Sequence, residues 1–580
     1  MSAEPGARRP EPPPRQPAPL RSPGPVDTEG MDVEPRRTPP AGPLLHRHAG
    51  RTLDPDSAVR FAGEPLHPTV YAAGRLLLRS VPDAAGLLAR VRAVAAEQGL
   101  EVEVDERDVA MARLAEELGI PAAERTPLVT RVQLRRREDD DRPAGPLDAW
   151  PVLQEVRAAF PPDSAERRAV QLDHLVASHA PGGVTGNPYW HPTGTTGTPY
   201  WHPTGTTGTP YWHPTGNPYL DVPSGLAEYA APGFGGRTPV AWVGPEPRRT
   251  PEAELAPHRR PVVAVLDSGI GRHRWFPDTV VRRSPKVGGL SIGLTDPETA
   301  PEDPAVRSNP LVGELDVSAG HGTFIAGLVR QKCPDATLLA VRVLRADGVV
   351  AEADLLEALL LLWLRQRKAI HERRPELLVD VITLSLGYYH EAAADAAFDP
   401  LLLAPLQALG RLGVVVVASA GNDATLRPMY PAAFSPHAGG PVPQARHDEV
   451  PVVAVGATNP DRSVAMFSNE GPWVRAHRPG AALVSTLPPF DGARGPSLEQ
   501  DGVGKVHRST LDPDDFSSGF GVWSGTSFAA PILAGEIAQH LHESGALPAG
   551  SVDPATAVAG GWAAVTARVP DLVRPAPADW

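Results

Sequence analysis

The sequence has very little cysteine, no excess of positive charge and no long apolar run. Its single cysteine, Cys333, cannot form an internal disulfide, so no disulfide framework supports the fold. The net charge of −13 argues against a nucleic-acid-binding protein, which would carry a basic face. The most apolar run, residues 355–364, is too short to cross a bilayer, and residues 1–51 lack the apolar stretch of a signal peptide. The sequence therefore predicts a cytoplasmic protein with neither nucleic acid nor membrane among its partners.

Proline is abundant, and its distribution divides the chain. The length of 580 residues predicts two to four domains, and the 69 prolines are concentrated outside the predicted helices and strands. The predicted divisions are a disordered Pro-rich tail at 1–57, a small α+β domain at 58–137, a helical segment at 138–180 with helices at 150–159 and 165–178, a Pro/Gly-rich linker at 181–260, a large domain at 261–570 and a C-terminal tail at 571–580.

The large domain has an α/β pattern. Apolar strands are predicted at 262–266, 338–344, 379–386, 414–419 and 452–456, with helices at 321–329, 353–368, 400–412 and from Ser527 onward. Continuous apolar strands alternating with helices imply a mostly parallel central sheet covered on both faces, which is a three-layer domain. Ligands of such sheets bind at the carboxyl ends of the strands. Asp267, Ser385 and Asn422 all lie at such ends, so we expect one cleft.

The linker contains a tandem repeat at residues 186–220. A unit beginning Asn-Pro-Tyr-Trp-His-Pro-Thr-Gly recurs with a period of 11, which places Trp190, Trp201 and Trp212 in register. Proline and glycine in every copy exclude a helix. An expanded linker is the favoured interpretation. Two alternatives stay open: an arm that docks an unidentified partner, and a metal site formed by the three histidines that follow the tryptophans.

Three polar residues stand at the ends of apolar elements in the chain order Asp267, His321, Ser527. Asp267 ends a strand, His321 opens a helix within Gly-His-Gly-Thr, and Ser527 opens another within Gly-Thr-Ser-Phe-Ala-Ala-Pro. Taken singly, the aspartate is a turn former, and the histidine and serine are helix caps. Taken together, they supply a hydroxyl nucleophile, a base and an acid that orients the base.

These segments resemble the catalytic motifs of the subtilisin-like serine proteases (subtilases), in which the triad has this chain order. Two further segments agree. Residues 418–423, Ala-Ser-Ala-Gly-Asn-Asp, are similar to the family segment whose asparagine donates to the oxyanion. Residues 382–387, Ile-Thr-Leu-Ser-Leu-Gly, resemble the strand that lines the substrate cleft. The resemblance covers about residues 262–570, a little over half of the chain.

The resemblance implies a subtilisin-like fold and a serine endopeptidase that acts on peptides or proteins. It assigns catalytic roles to Asp267, His321 and Ser527, an oxyanion role to Asn422, and substrate binding to Ser385, Leu386, Gly387, Ala420 and Gly421. The glycines leave room beside the cleft, which predicts an uncharged pocket and an apolar residue before the scissile bond.

The sequence departs from the family pattern in two places. The segment after His321 runs straight through residues 331–335 into the next strand, without the inserted loop that supplies the strong calcium site of subtilisin. No metal or other cofactor is therefore predicted. Phe528 follows the nucleophile where subtilisin has methionine, which predicts slow inactivation by peroxide.

An acidic, Pro-rich loop near residues 296–303 is predicted to lie on the surface.

The domain at 58–137 has two interpretations. Its position before a subtilase domain indicates a prodomain that inhibits the cleft, whereas the more than 120 residues between it and Val262 favour a separate recognition or regulatory module. The alternative to an active peptidase is a catalytically silent or self-processing subtilase that acts as a peptide-binding or interaction module. The complete set of Asp267, His321, Ser527 and Asn422 favours the peptidase.

Overall fold

The computed structural model describes residues 42–178, Tyr229 and residues 236–577, except residues 56, 59–65, 82, 138–145, 162–163, 303–306, 310, 312, 392–400, 513 and 551–552. The repeat at 186–220 and most of the predicted N-terminal tail lie outside the described residues.

The N-terminal part of the chain forms an antiparallel sheet with helices. Its strands have the order β5-β2-β4-β3, with β1 also paired to β2. The α+β character agrees with the prediction, but residues 42–53, predicted to be disordered, form a helix and a strand. The elements are α1 (Gly42–Arg47), β1 (Gly50–Leu53), β2 (Thr69–Arg79), α2 (Ala84–Glu97), β3 (Leu100–Val104), α3 (Glu106–Glu117), β4 (Val129–Arg136), α4 (Ala149–Ala158), α5 (Ala165–Arg168) and β5 (Val170–Ala177).

The predicted helix at 165–178 is wrong. A single helical turn, α5, ends at Arg168, and the following residues form the strand β5. The apolar residues Leu172, Leu175 and Val176 fit helical spacing, so the local pattern was ambiguous. Pairing with β2 decides the outcome, and it buries Gln171, Asp173 and His174 as well as the apolar residues. Strand β5, from the predicted helical segment at 138–180, is therefore part of the N-terminal sheet.

The second domain contains the remaining elements: β6 (Thr238–Pro239), β7 (Val262–Asp267), β8 (Val281–Arg282), β9 (Lys286–Val287), β10 (Leu290–Ser291), β11 (Arg307–Asn309), β12 (Glu314–Leu315), α6 (His321–Lys332), β13 (Thr337–Arg342), β14 (Val349–Ala351), α7 (Glu352–His371), β15 (Val381–Leu384), α8 (Leu403–Gly410), β16 (Val415–Ser419), β17 (Val452–Thr458), β18 (Val474–Pro479), β19 (Leu483–Thr486), β20 (Glu499–Asp501), β21 (His507–Ser509), β22 (Phe520–Trp523), α9 (Thr526–Glu543) and α10 (Pro554–Arg568).

A seven-stranded parallel sheet forms the middle layer of this domain. Its order is β18-β17-β16-β15-β7-β13-β8. Strand β7 shows why both faces are covered: Val263 and Val265 lie in a core shared with α6 and α9, whereas Ala264 and Leu266 lie in a core shared with α7 and α8. Alternate side chains of a strand point to opposite faces, so a continuous apolar strand needs two covering layers. The predicted three-layer fold is confirmed.

Two short pairings connect this domain to its neighbours in the chain. Strand β6, which lies within the predicted linker at 181–260, pairs with β22, and β22 leads into the helix that carries Ser527. Strand β14 pairs with β5 and so extends the N-terminal sheet into the second domain.

Within the described ranges, every helix is too short or too polar to cross a bilayer.

Candidate active site

Asp267 and His321 meet at the carboxyl end of the parallel sheet. Asp267 is the last residue of β7, and His321 is the first residue of α6. Gly320 precedes the helix with φ of +79°, a left-handed conformation that glycine adopts without strain. The imidazole Nδ1 donates to Asp267 Oδ1 at 2.7 Å, and both side chains are buried. With Nδ1 engaged, Nε2 is the ring nitrogen that can accept a proton.

The buried carboxyl group of Glu302 lies next to Asp267, and Ser268 contacts both of them. Asp267 Oδ1 also accepts from the Ser268 amide at 2.8 Å, and Ser268 Oγ lies 3.1 Å from it. The hydroxyls of Ser268 and Thr323 both donate to Glu302. Burial raises the pKa of Glu302 to about 7, and its hydrogen bonds only partly offset that effect.

The position of Glu302 corrects the prediction that the acidic loop lies wholly on the surface. Residues 295–298 are exposed, but the chain then turns inward, and Glu302 is only 9% exposed. Sequence analysis missed this residue because a single glutamate in an acidic, Pro-rich loop has no motif that distinguishes it from its solvated neighbours.

Ser527 is the second residue of α9 and faces the same cavity as His321. Ser527 Oγ donates to the Ser385 carbonyl oxygen at 3.5 Å, and Ser385 Oγ donates to the Ser527 carbonyl oxygen at 2.8 Å. These bonds tie the start of the helix to the end of β15. The small cavity is lined by Ser178, Val317, His321, Trp523, Ser524, Ser527 and Phe528.

Two aromatic rings pack against His321. Trp523 lies edge-on to the imidazole with ring centroids 5.5 Å apart, and Phe528 lies at 5.2 Å. Both rings are at least nine-tenths buried. They restrict the imidazole to the plane in which Nδ1 reaches Asp267 and limit access of water to the base. Trp523 was not singled out from the sequence, because an aromatic residue before a serine motif is indistinguishable from ordinary core.

Asn422 is held beside the nucleophile by Thr526. Its Oδ1 accepts from the Thr526 amide and from Thr526 Oγ1, each at 2.8 Å, and the side chain is 4% exposed. These two bonds fix the amide plane, so Nδ2 is the edge turned away from Thr526. The neighbouring Gly421 amide donates to Thr526 Oγ1 at 3.1 Å, which joins the end of β16 to the start of α9.

The predicted substrate-binding residues lie on two adjacent segments, after β15 and after β16. Ser385, Leu386 and Gly387 follow β15, and Ala420 and Gly421 follow β16. A Cβ placed on Gly387 would lie 2.7 Å from Met429 Cε, and one placed on Gly421 would lie 2.7 Å from Met429 Sδ. The room expected beside these glycines is therefore filled by the buried, flexible Met429 side chain at both positions, together with Asn469 Nδ2 at Gly421 and the Tyr430 carbonyl oxygen at Gly387.

Strand β5 of the N-terminal domain runs into this cleft. Ala177 exchanges two backbone hydrogen bonds with Gly387, each of 3.0 Å, while Leu175 to Ala177 pair with β14 on the other side. The Ser178 amide donates to the Gly348 carbonyl oxygen at 3.0 Å, and Ser178 lines the cavity of His321 and Ser527. The chain thus runs as an extended strand between residues 348–351 and Gly387 and reaches the cavity of His321 and Ser527.

Two other reactive groups are accounted for by their surroundings. Cys333 is fully buried, and burial raises the pKa of its thiol to about 12, so it is not a nucleophile. His174, His390 and Glu391 are close enough in space to hold a metal ion and are all buried. His174 Nε2, however, already lies 2.7 Å from Glu391 Oε2 in a hydrogen bond.

Comparison with known proteins identifies the family. The model of the subtilase family matches residues 258–553, just over half of the chain, so the chain belongs to that family.

Three known proteins illustrate the similarity. Serine protease AprX of Bacillus subtilis (strain 168) is 29% identical over 303 residues, covering 49% of this chain and 57% of that protein. Subtilisin BL of Lederbergia lenta is 30% identical over 235 residues, covering 39% of this chain and 66% of that protein. The crystal structure of a lanthipeptide protease aligns with a TM-score of 0.32 at 20% identity, covering 49% of this chain and 73% of that one. The chain thus spans less than two thirds of the length of either curated relative.

Proposed function

We propose that the protein is a serine endopeptidase that cleaves peptide bonds with Asp267, His321 and Ser527. The observation that carries the proposal is the 2.7 Å bond from His321 Nδ1 to Asp267 Oδ1 in a cavity that Ser527 also lines. Peptides or proteins are the substrates. The family membership supports the reaction class, and the geometry supports the assignment of the residues.

The proposed mechanism follows from the atoms present. Ser527 Oγ rotates away from the Ser385 carbonyl oxygen, gives its proton to His321 Nε2 and attacks the scissile carbonyl carbon. Asp267 holds the imidazole tautomer and stabilises the imidazolium. Asn422 Nδ2 and the Ser527 amide donate to the tetrahedral oxyanion, an arrangement in which each donor is worth about 100- to 1,000-fold in turnover. The imidazolium then protonates the leaving amine, and water hydrolyses the acyl-enzyme by the same steps in reverse.

The substrate is expected to bind as an added strand between residues 385–387 and β14. Ala177 and its neighbours already pair with these two segments, which supports the register. Ala420 and Gly421 form the adjoining wall. With Met429 packed against both glycine segments, we expect an apolar and deformable pocket before the scissile bond, and hence a preference for apolar side chains there.

We also propose that the N-terminal domain inhibits the peptidase, the prodomain-like alternative of the two. Residues 175–178 occupy the strand position that a substrate would take, and Ser178 reaches the cavity of Ser527. Cleavage of the chain shortly after Ser178 would release the domain. The cytoplasmic location and the linker interpretation of the repeat remain predictions, which cell fractionation and pull-down with the repeat peptide would test; capture of a partner would favour the docking alternative.

Labelling with a fluorophosphonate probe tests the proposal. We expect the full-length protein or its self-processed form to be labelled, and Ser527→Ala to abolish labelling. Ser544→Ala, at the exposed end of the same helix, is the matched control and should label like the wild type. Mass spectrometry of the same samples should show cleavage between residues 178 and 182 only when Ser527 is present.

The outcomes separate the competing functions. Folded wild-type protein that never labels would overturn the peptidase and favour a silent peptide-binding module. Labelling with cleavage confined to the chain itself would favour the self-processing interaction protein.

A further inference from the structure

A histidine of β5 donates from both ring nitrogens to carboxylates of the peptidase domain. His174 Nδ1 lies 2.7 Å from Glu352 Oε2, and His174 Nε2 lies 2.7 Å from Glu391 Oε2. All three side chains are at most 1% exposed. His174 lies three residues before Ala177, the residue that pairs with Gly387 in the cleft. The contact therefore belongs to the same strand that occupies the substrate position.

The peptidase domain supplies the whole receptor for this side chain. Glu352 is the first residue of α7, and Glu391 follows the segment that carries Gly387. Tyr388 donates its hydroxyl to Glu352 Oε1 at 3.1 Å, and its ring stacks on His174 with centroids 4.6 Å apart and planes 19° apart. Two carboxylates and a stacked aromatic face form a pocket that suits a planar cation.

The histidine in this pocket carries a charge. Burial lowers the pKa of His174, but the charge of Glu391 and the hydrogen bonds that the imidazole donates to both glutamates outweigh burial and raise it to about 10. Burial raises the pKa of Glu391, but His390 and His174 together hold it well below its usual range. These two shifts favour the charged forms of His174 and Glu391 at neutral pH. The pocket is therefore better described as a site for a cation than as a pH switch.

When β5 leaves the cleft, Glu352 loses the imidazole that contacts it, and Glu391 keeps only His390, whose Nε2 lies 3.6 Å from Glu391 Oε2. A substrate that binds in the place of β5 closes the site to water again, and enclosing two acidic groups is costly unless a positive charge replaces that of His174. A substrate that binds in the register of β5 would place its own side chain at this position. About three residues of extended chain, roughly 10 Å, separate the pocket from the pairing with Gly387.

We infer that Glu352 and Glu391 form a specificity subsite for a cationic side chain of the substrate. This inference rests on the proposed endopeptidase function. The substrate class is a peptide with histidine, arginine or lysine three residues before the residue that pairs with Gly387. Tyr388 provides the stacking surface, which favours histidine and arginine over lysine.

A competition assay with the full-length protein tests the subsite. Two peptides with the sequence of residues 171–182 are offered together, one with the native histidine and one with alanine at the position of His174. The ratio of their kcat/KM values does not depend on how much enzyme the N-terminal domain inhibits, because both peptides compete for the same free enzyme. Peptides with arginine and glutamate at that position extend the series.

We expect the histidine and arginine peptides to be preferred over the alanine peptide at least about tenfold, as for a charge-assisted hydrogen bond in a closed site, and the glutamate peptide to be the poorest. Glu391→Gln and Glu352→Gln should bring the ratio towards one. Glu372→Gln, at the exposed end of α7, is the matched control and should keep the wild-type ratio.

The result that would overturn the subsite is a ratio near one in the wild-type protein, which needs no variant to fold. That result leaves the peptidase intact, because both peptides are still cleaved. Failure of the proposed function has a different signature: neither peptide is cut and the fluorophosphonate probe does not label Ser527.

Discussion

Ala177 and Gly387 exchange two backbone hydrogen bonds of 3.0 Å across the boundary between the two domains. Gly387 lies on the segment that is predicted to bind substrate. Strand β5, which ends at Ala177, therefore lies in the position proposed for a substrate. The same strand places Ser178 beside His321 and Ser527, and it places His174 between two glutamates. One element thus connects the catalytic cavity, the proposed inhibition and the proposed acidic subsite.

Removing the proposed oxyanion donor should reduce turnover far more than binding. We expect Asn422→Ala to lower kcat about 100- to 1,000-fold with little change in KM, because the Nδ2 donor acts only on the developing oxyanion. Asn422→Asp keeps the oxygen that accepts from Thr526 and replaces the Nδ2 donor with a negatively charged oxygen, so it should lose at least as much turnover while the positioning of α9 is retained. Activity within threefold of the wild type in both variants would contradict the assignment of Asn422.

The buried Glu302 should make stability depend on pH. Burial raises its pKa in the folded protein to about 7 from an ordinary value of 4.5, so the folded protein binds a proton that the unfolded chain releases. Stability from this group is fully present below about pH 4.5 and is lost as the pH rises through about 7. Glu302→Gln mimics the protonated form and should be the more stable protein at pH 8, by on the order of 2–3 kcal/mol relative to their difference at pH 4.

Thermal unfolding of wild type and Glu302→Gln between pH 4 and 9 checks this prediction. Glu298→Gln, in the exposed part of the same loop, is the control and should show no such trend. A difference in Tm between wild type and Glu302→Gln that stays constant across the range would show that Glu302 does not titrate there.

A buried ion cluster should hold the N-terminal domain on the peptidase domain. Arg131 of β4 lies 3.0 Å from Asp108 Oδ1 and 2.7 Å from Glu357 Oε2 of α7. Arg131→Leu leaves Asp108 buried without its cation and Glu357 paired with Arg107 alone, and the loss of a buried partner typically costs about 3–5 kcal/mol. We expect faster fluorophosphonate labelling of the full-length variant and a lower Tm. Arg135→Ala removes an exposed pair with Glu103 on the same sheet and should change neither.

Slower labelling, or labelling unchanged despite a lower Tm, would show that the Arg131 cluster stabilises the N-terminal domain without holding it in the cleft.

The residue after the nucleophile should protect the enzyme from peroxide. Phe528 packs against His321 and is 1% exposed, and it has no sulfur to oxidise. We expect the activity of the wild type to outlast that of Phe528→Met in dilute peroxide, because a sulfoxide at this position would be polar and would press on the imidazole. Equal rates of inactivation, with Met429 shown to be unoxidised by mass spectrometry, would contradict this explanation.

The sequence by itself determined the family, the parallel sheet and the set of candidate catalytic residues. This was possible because a continuous apolar strand and the glycine-flanked Asp267, His321 and Ser527 motifs are local patterns. The tertiary structure decided the rest. Strand β5 was predicted as a helix because its spacing fits both periods, and only pairing with β2 and β14 selects the strand. Burial between segments far apart in the chain raises the pKa of Glu302, so that this carboxyl group binds a proton near pH 7. Burial likewise makes Glu352 and Glu391 a site for the His174 cation.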